Sequence, residues 1–198
     1  MEPRDPLIDA DRAEGLLLAL SDQLLASDAT YELVVIGGTA LQALGFVERS
    51  TKDVDVVGLR EGSLVVPADP LPPPLVDAAE RVARDFGLPP DWLNAGPADL
   101  VRLGLPEGFL ARWETRWFGP SLTVHFAGRL DQIHFKLYAM ADQGSGRHET
   151  DLRALDPTPD ELRSAARWAR THDPSPGFRE VLLAVLQHLG VLDADVGP

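Results

Sequence analysis

Leu33-Val34-Val35-Ile36-Gly37-Gly38-Thr39-Ala40, followed after a short apolar helix by Arg49-Ser50-Thr51-Lys52-Asp53-Val54-Asp55-Val56-Val57, decides the fold. Leu33 to Ile36 is apolar and mostly β-branched, which suits a buried strand. Gly37 and Gly38 let the backbone turn tightly and approach a ligand with no Cβ in the way. A helix starting there points its first N–H groups at an anion, and a phosphate satisfies them. Asp53 and Asp55 stand two apart in a strand pattern, so both side chains leave one face. Neighbouring carboxylates repel unless a cation lies between them, and Mg²⁺ accepts carboxylates together with phosphate oxygens.

A glycine pair after a strand is by itself an ordinary turn, and a lone Asp-x-Asp is an ordinary solvated strand end. In this order, with Arg49 and Thr51 just before the pair, they make a phosphate cradle followed by a divalent-metal pair, the parts that nucleotidyl transfer needs. The stretch is not a P-loop, which requires Gly-x-x-x-x-Gly-Lys-Ser/Thr. It also lacks the third glycine of a dinucleotide fingerprint. Gly37, Gly38 and Thr39 are expected at the triphosphate, with a helix N-cap as the other role of Thr39. Asp53 and Asp55 are expected to hold Mg²⁺. Arg49 is read as a phosphate-contacting cation. Thr51 bonds near the metal or caps the turn.

Outward from this stretch, residues 10–26 carry leucines at amphipathic-helix spacing behind Asp9 or Asp11 as cap. Strands are expected at Tyr31–Ile36, Val54–Leu59 and Leu122–Phe126, with a short helix at Thr39–Leu44. Val66 to Pro74 reads as a loop or polyproline segment, leading into a helix near 75–86. Residues 97–120 read as a helical pattern broken by glycines. Helices are expected at 131–143, 147–155, 159–171 and 177–189. The pattern predicts a small mixed sheet with an added helical region. Trp92 and Asn94 line a nucleobase pocket or, for the tryptophan, form plain core. His125 faces either the site or solvent.

The chain has 198 residues, 44% hydrophobic, with no cysteine and a formal charge of −13. That length supports one sizeable core with a helical appendage, and the absence of cysteine excludes disulfides and thiolate zinc sites. No apolar run approaches the ~20 residues of a membrane span, and the opening Met-Glu-Pro-Arg-Asp-Pro lacks an apolar signal core, so a cytoplasmic protein is expected. The charge argues against nucleic acid as a partner. Its distribution is uneven, because residues 1–99 carry 7 Lys/Arg and 18 Asp/Glu while residues 100–180 carry 11 of each. Arg112 with Arg116, and Arg163, Arg167 and Arg170, are spaced either as phosphate-contacting stripes or as solvated helix faces.

The Gly-Gly-Thr, spacer, Asp-x-Asp arrangement resembles the polymerase-β-type nucleotidyltransferase superfamily. Within it, the chain is similar to the bacterial abortive-infection and MenT-type nucleotidyltransferase toxins. Their later signature, a helix carrying a lysine and then a basic pair and Asp-Leu, is matched by Phe135-Lys136-Leu137-Tyr138-Ala139-Met140-Ala141-Asp142 and Arg147-His148-Glu149-Thr150-Asp151-Leu152. The likeness spans residues 30–60 and 121–156. It implies an α/β (α+β) protein: a small mixed-sheet nucleotidyltransferase core with an N-terminal helix over 1–128, and a helical C-terminal region over 129–198 closing the active site.

It further implies an enzyme that uses a Mg²⁺-bound nucleoside triphosphate to add nucleotides to RNA, at the tRNA 3′ acceptor end. Such an enzyme would act as a toxin neutralised by a small cognate antitoxin, with neither DNA nor membrane as partner. Lys136, which would otherwise snorkel to the surface, is placed by the likeness on the nucleotide phosphates. Asp151 then orients Lys136 or the base, and Arg147 touches substrate. Phosphorylation of an active-site hydroxyl is implied at Thr39, with Thr51 in reserve. Many members carry a third carboxylate on a later strand; the strand read as its counterpart, Leu122–Phe126, has none, which leaves the general base unassigned. The alternatives are transfer to a small molecule or a protein hydroxyl, or a catalytically inactive nucleotide-binding module.

Overall fold

The computed structural model describes residues 7–192 and 196; the acidic opening hexapeptide lies outside them. Two compact units divide the chain, Met1–Arg102 with Trp113–Ala127, and Leu103–Arg112 with Gly128–Pro198.

The first unit is a sheet backed by helices. Helix α1 (Ala10–Ala26) starts at Asp9, whose carboxylate accepts from the Arg12 N–H at 2.9 Å. Its Leu16, Leu17, Leu20 and Leu24 are fully buried. Strand β1 (Tyr31–Ile36) runs into helix α2 (Gly37–Ala43), and β2 (Val54–Glu61) turns through Gly62 into β3 (Leu64–Pro67). Helix α3 (Pro73–Phe86) stops at Gly87 in a left-handed conformation, the usual glycine cap. Strand β4 (Leu93–Asn94), the short helix α4 (Asp99–Leu103) and strands β5 (Glu114–Trp117) and β6 (Leu122–Phe126) follow; the short helix α5 (Phe109–Arg112), before β5 in the chain, belongs to the second unit.

The strand order is β3-β2-β1-β6-β5, with β4 also paired to β2. β1 is antiparallel to β2 and parallel to β6, so the sheet is mixed. Leu33, Val35, Val54, Val56, Val124 and Phe126 bury one face against the leucines of α1 and the apolar side of α3. Each large apolar side chain so buried contributes roughly 1.5–3 kcal/mol.

The second unit is helical. Helices α6 (Arg129–Gln143), α7 (Gly146–Ala154), α8 (Pro159–His172) and α9 (Pro176–His188) follow each other, and α6 packs on the other three. α8 opens with a reciprocal capping box between Thr158 and Glu161. Arg129 ties the unit together, donating to the Leu155 carbonyl at 2.8 Å, the Asp156 carbonyl at 2.7 Å and Glu161 at 2.6 Å. The architecture is the expected α+β class, a mixed sheet flanked by helices with a helical C-terminal region.

Two elements differ from the sequence reading. Leu64–Pro67, partly read as polyproline loop, is an edge strand paired with β2. Pro67 ends it, where a missing N–H is tolerated. Glu114–Trp117, read within a broken helix, is the opposite edge strand, paired with β6. Among the described residues no helix is long and apolar enough to cross a membrane.

Candidate active site

The register of β1 against β2 sets Ile36 across from Asp55. The first turn of α2 therefore starts beside that carboxylate. Gly37 has φ +74°, and a Cβ there would collide with Asp55 Oδ2. A Cβ on Gly38 would lie 2.8 Å from Thr51 Oγ1 and 3.6 Å from the Arg49 guanidinium. Both glycines are thus required by what packs against them, and those neighbours are the residues singled out from the sequence.

Asp53 immediately precedes β2 and Asp55 lies within it; both are half-buried. Thr51 Oγ1 donates to Asp53 Oδ1 at 3.4 Å. Asn94, which β4 pairs with Asp55 in parallel register, donates to Asp55 Oδ1 at 3.4 Å. Asn94 orients a carboxylate, a role the sequence reading missed, since a two-residue strand leaves no periodic signal. Trp92 is fully buried and donates to the Ala79 carbonyl at 3.0 Å; it is core, and the nucleobase-pocket alternative is corrected.

α2 also holds the loop before β2. The Thr39 hydroxyl, 2% exposed, donates to the Asp53 carbonyl at 2.8 Å. Gln42 Nε2 donates to the Arg49 carbonyl at 2.6 Å. Thr39 is the third residue of α2, and Ile36 occupies the N-cap position without a side-chain bond. The N-cap reading of Thr39 is therefore corrected: its hydroxyl reaches across to Asp53 instead.

In the helical unit, Lys136 Nζ pairs with Asp151 at 2.7 Å, and their side chains are 8% and 0% exposed. Arg147 is exposed on α7. The arginine stripes are mostly committed to intramolecular contacts. Arg112 bonds Asp131 through two nitrogens. Arg116 donates to Glu114 and to the Ala43 carbonyl, Arg163 pairs with Asp160, and Arg170 donates to the Asp173 and Ser175 carbonyls. Arg167 is exposed. Burial holds the Asp131 carboxyl above the ordinary aspartate range despite Arg112, and lowers the His134 imidazole. His125 does not face solvent; paired with Val34 of β1, it lies on the sheet face that also carries Ile36 and its partner Asp55. It is 1% exposed, bridges Thr115 Oγ1 at 2.8 Å and Glu32 Oε2 at 2.9 Å, and stacks on Trp113.

Residues 16–143 match a family described as a nucleotidyltransferase of unknown function (DUF6036). The chain belongs to that family. No curated protein and no solved structure matches it. The matched segment contains Gly37, Gly38, Thr39, Asp53, Asp55 and Lys136, and it ends with the last residue of α6. A nucleotidyltransferase domain implies a nucleoside triphosphate as substrate. The family thus supports the superfamily resemblance.

Among the described residues no three His, Asp or Glu side chains cluster as a metal cage. The donor set at the site is the Asp53–Asp55 pair. That set fits Mg²⁺, which keeps several waters and takes its remaining oxygens from substrate phosphates.

Proposed function

We propose that the chain transfers a nucleotidyl group from a nucleoside triphosphate to an acceptor hydroxyl, with Asp53 and Asp55 holding the divalent ion. The observation that carries this reading is the Asp53–Asp55 pair set against Gly37 and Gly38, in a chain of nucleotidyltransferase family. The bound ion would neutralise charge on the transferring phosphoryl group. The Gly37–Gly38 turn lets the triphosphate approach the backbone. Asn94 and Thr51 hold the two carboxylates in place, and Thr39 fixes the backbone of Asp53.

The acceptor is RNA, at a tRNA 3′ end, and the enzyme is a toxin restrained by a cognate antitoxin; both follow from the resemblance to the MenT-type toxins. Phosphorylation of Thr39 is the corresponding control. It would break the hydroxyl's bond to Asp53 and put negative charge beside two carboxylates. Lys136 on the nucleotide phosphates belongs to the same reading.

A second acceptor class, a small-molecule or protein hydroxyl, is favoured by two observations. The net charge is −13, and Arg112, Arg116, Arg163 and Arg170 are engaged within the fold. Incubation with α-labelled nucleoside triphosphates, Mg²⁺, total tRNA and cell extract separates the two. Label in RNA supports the first reading and label in protein or metabolite the second. No label in any fraction contradicts the enzymatic assignment.

A further inference from the structure

A cleft of about 620 Å³ opens within the second unit, between α6, α8 and the segment that ends in α5. Ser164, Arg167, Trp168 and Thr171 line it from α8 at helical spacing, so they share one face of that helix. α8 packs through Leu162, Ala165 and Ala169, which are buried. The stripe beside them carries hydroxyls, a guanidinium and an indole instead. Leu130 and His134, one turn apart on α6, form another wall.

Three groups in this lining have N–H or O–H bonds to give. Arg112 spends Nε and Nη2 on Asp131, whose side chain is fully buried. Its Nη1 has no partner among the described residues and lies against Gly108, where φ is +74° and a Cβ would stand 2.6 Å away. A buried anion and a glycine thus fix this guanidinium in place. Arg167 is exposed and forms no ion pair among the described residues. Ser164 is half-buried, and its Oγ lies 3.5 Å from His134 Nε2, at the far end of hydrogen-bond range. His134 Nδ1 donates to the Leu130 carbonyl at 2.7 Å, and burial lowers the imidazole's pKa. At neutral pH Nε2 is therefore an acceptor, and the Ser164 O–H that it holds loosely can turn to a ligand. Thr171, by contrast, donates to the Trp168 carbonyl at 2.7 Å.

Two guanidinium groups and a hydroxyl suit an anion with three oxygens about one centre, which a phosphate has and a carboxylate has not. Asp131 offsets the charge of Arg112, so Arg167 carries the net attraction. Leu130 and Trp168 offer apolar wall to a carbon body, and the cleft is larger than a phosphate alone. Glu107, exposed, also lines it and opposes any further negative charge. We infer that this cleft binds the phosphate monoester of a small neutral alcohol. The phosphoryl oxygens accept from Arg112 Nη1, Arg167 and Ser164 Oγ, and the carbon body lies on Leu130 and Trp168. The site does not rest on the proposed nucleotidyl transfer.

Titration calorimetry of the full chain with phenyl phosphate, inorganic phosphate, phenylacetate and a 5′-phosphorylated dinucleotide tests the cleft. Saturable one-site binding of phenyl phosphate is expected, with each of the other three about tenfold weaker. Arg167→Gln should weaken phenyl phosphate binding about tenfold, and Ser164→Ala about fivefold. Glu107→Gln should tighten it about twofold. None of the three changes a fully buried side chain, and thermal unfolding at the parent Tm confirms that each variant is folded. Absence of phenyl phosphate binding, equal binding of phenylacetate, or parent affinity in Arg167→Gln or Ser164→Ala overturns the site. Tighter binding of the dinucleotide than of phenyl phosphate overturns the small neutral body.

Discussion

Thr39 spends its hydroxyl on the Asp53 carbonyl, so its effect on chemistry runs through the position of a backbone segment. Thr39→Val keeps the shape and removes the donor. A lost buried hydrogen bond costs about 1 kcal/mol, and we expect transfer to fall about tenfold while Thr39→Ser stays near the parent rate. Initial rates measured beside Tm check this; equal rates for the Val and Ser variants would remove the role. The residues that spacing alone could reveal, Gly37, Gly38, Asp53 and Asp55, were legible because a strand–turn–helix and a period of two are local patterns. Asn94 and Gln42 were not. Asn94 meets Asp55 across 39 positions of sequence, and Gln42 sits in an apolar helix with nothing in its neighbours to show which carbonyls it reaches.

At the scale of elements, the Lys136–Asp151 pair cross-ties α6 and α7 with both side chains nearly or fully buried. Removing one partner of a buried pair leaves an uncompensated charge and costs about 3–5 kcal/mol, whereas replacing both with apolar groups is often near neutral. Lys136→Met should therefore destabilise by about 3 kcal/mol in urea unfolding, and Lys136→Met/Asp151→Leu should recover most of that. A Lys136→Met protein of unchanged stability with a weakened nucleotide affinity would show that the lysine serves the phosphates. The Arg129–Glu161 bond holds the Glu161 carboxyl below the ordinary glutamate range. A carboxylate with a depressed folded pKa stabilises above its unfolded value of about 4.3 and loses that contribution as pH falls through the folded value. Glu161→Gln should thus flatten the acid limb of stability below about pH 4.5, measured as Tm against pH; an acid limb identical to the parent's would mean the bond contributes nothing. The long amphipathic helices were readable from the 3.6-residue period. Strands β3 and β5 were not, because four-residue edge strands with polar or proline-containing sequence carry too few alternations to register.

At the scale of the whole molecule, the charge of −13 and the resemblance to the MenT-type toxins pull in different directions on the acceptor. The chain is a nucleotidyltransferase family member over residues 16–143, and α7 to α9 lie beyond that match. Arg167 on α8, exposed beside Trp168, is the arginine of the stripes left to solvent. With an RNA acceptor, Arg167→Glu should weaken RNA binding about tenfold and reduce its salt dependence, at unchanged KM for the nucleotide. A protein or small-molecule acceptor predicts neither change. The central claim is nearer the chemistry, that Asp53 and Asp55 together hold the ion that nucleotidyl transfer needs. The direct measurement is incorporation of label from α-labelled nucleoside triphosphates by the parent chain, Asp53→Asn and Asp55→Asn, each with Mg²⁺ and with excess chelator. The account predicts label only for the parent with Mg²⁺, a loss of about a hundredfold or more in either variant, and unchanged circular dichroism. Incorporation by a folded Asp53→Asn or Asp55→Asn protein at half the parent rate or above would contradict it.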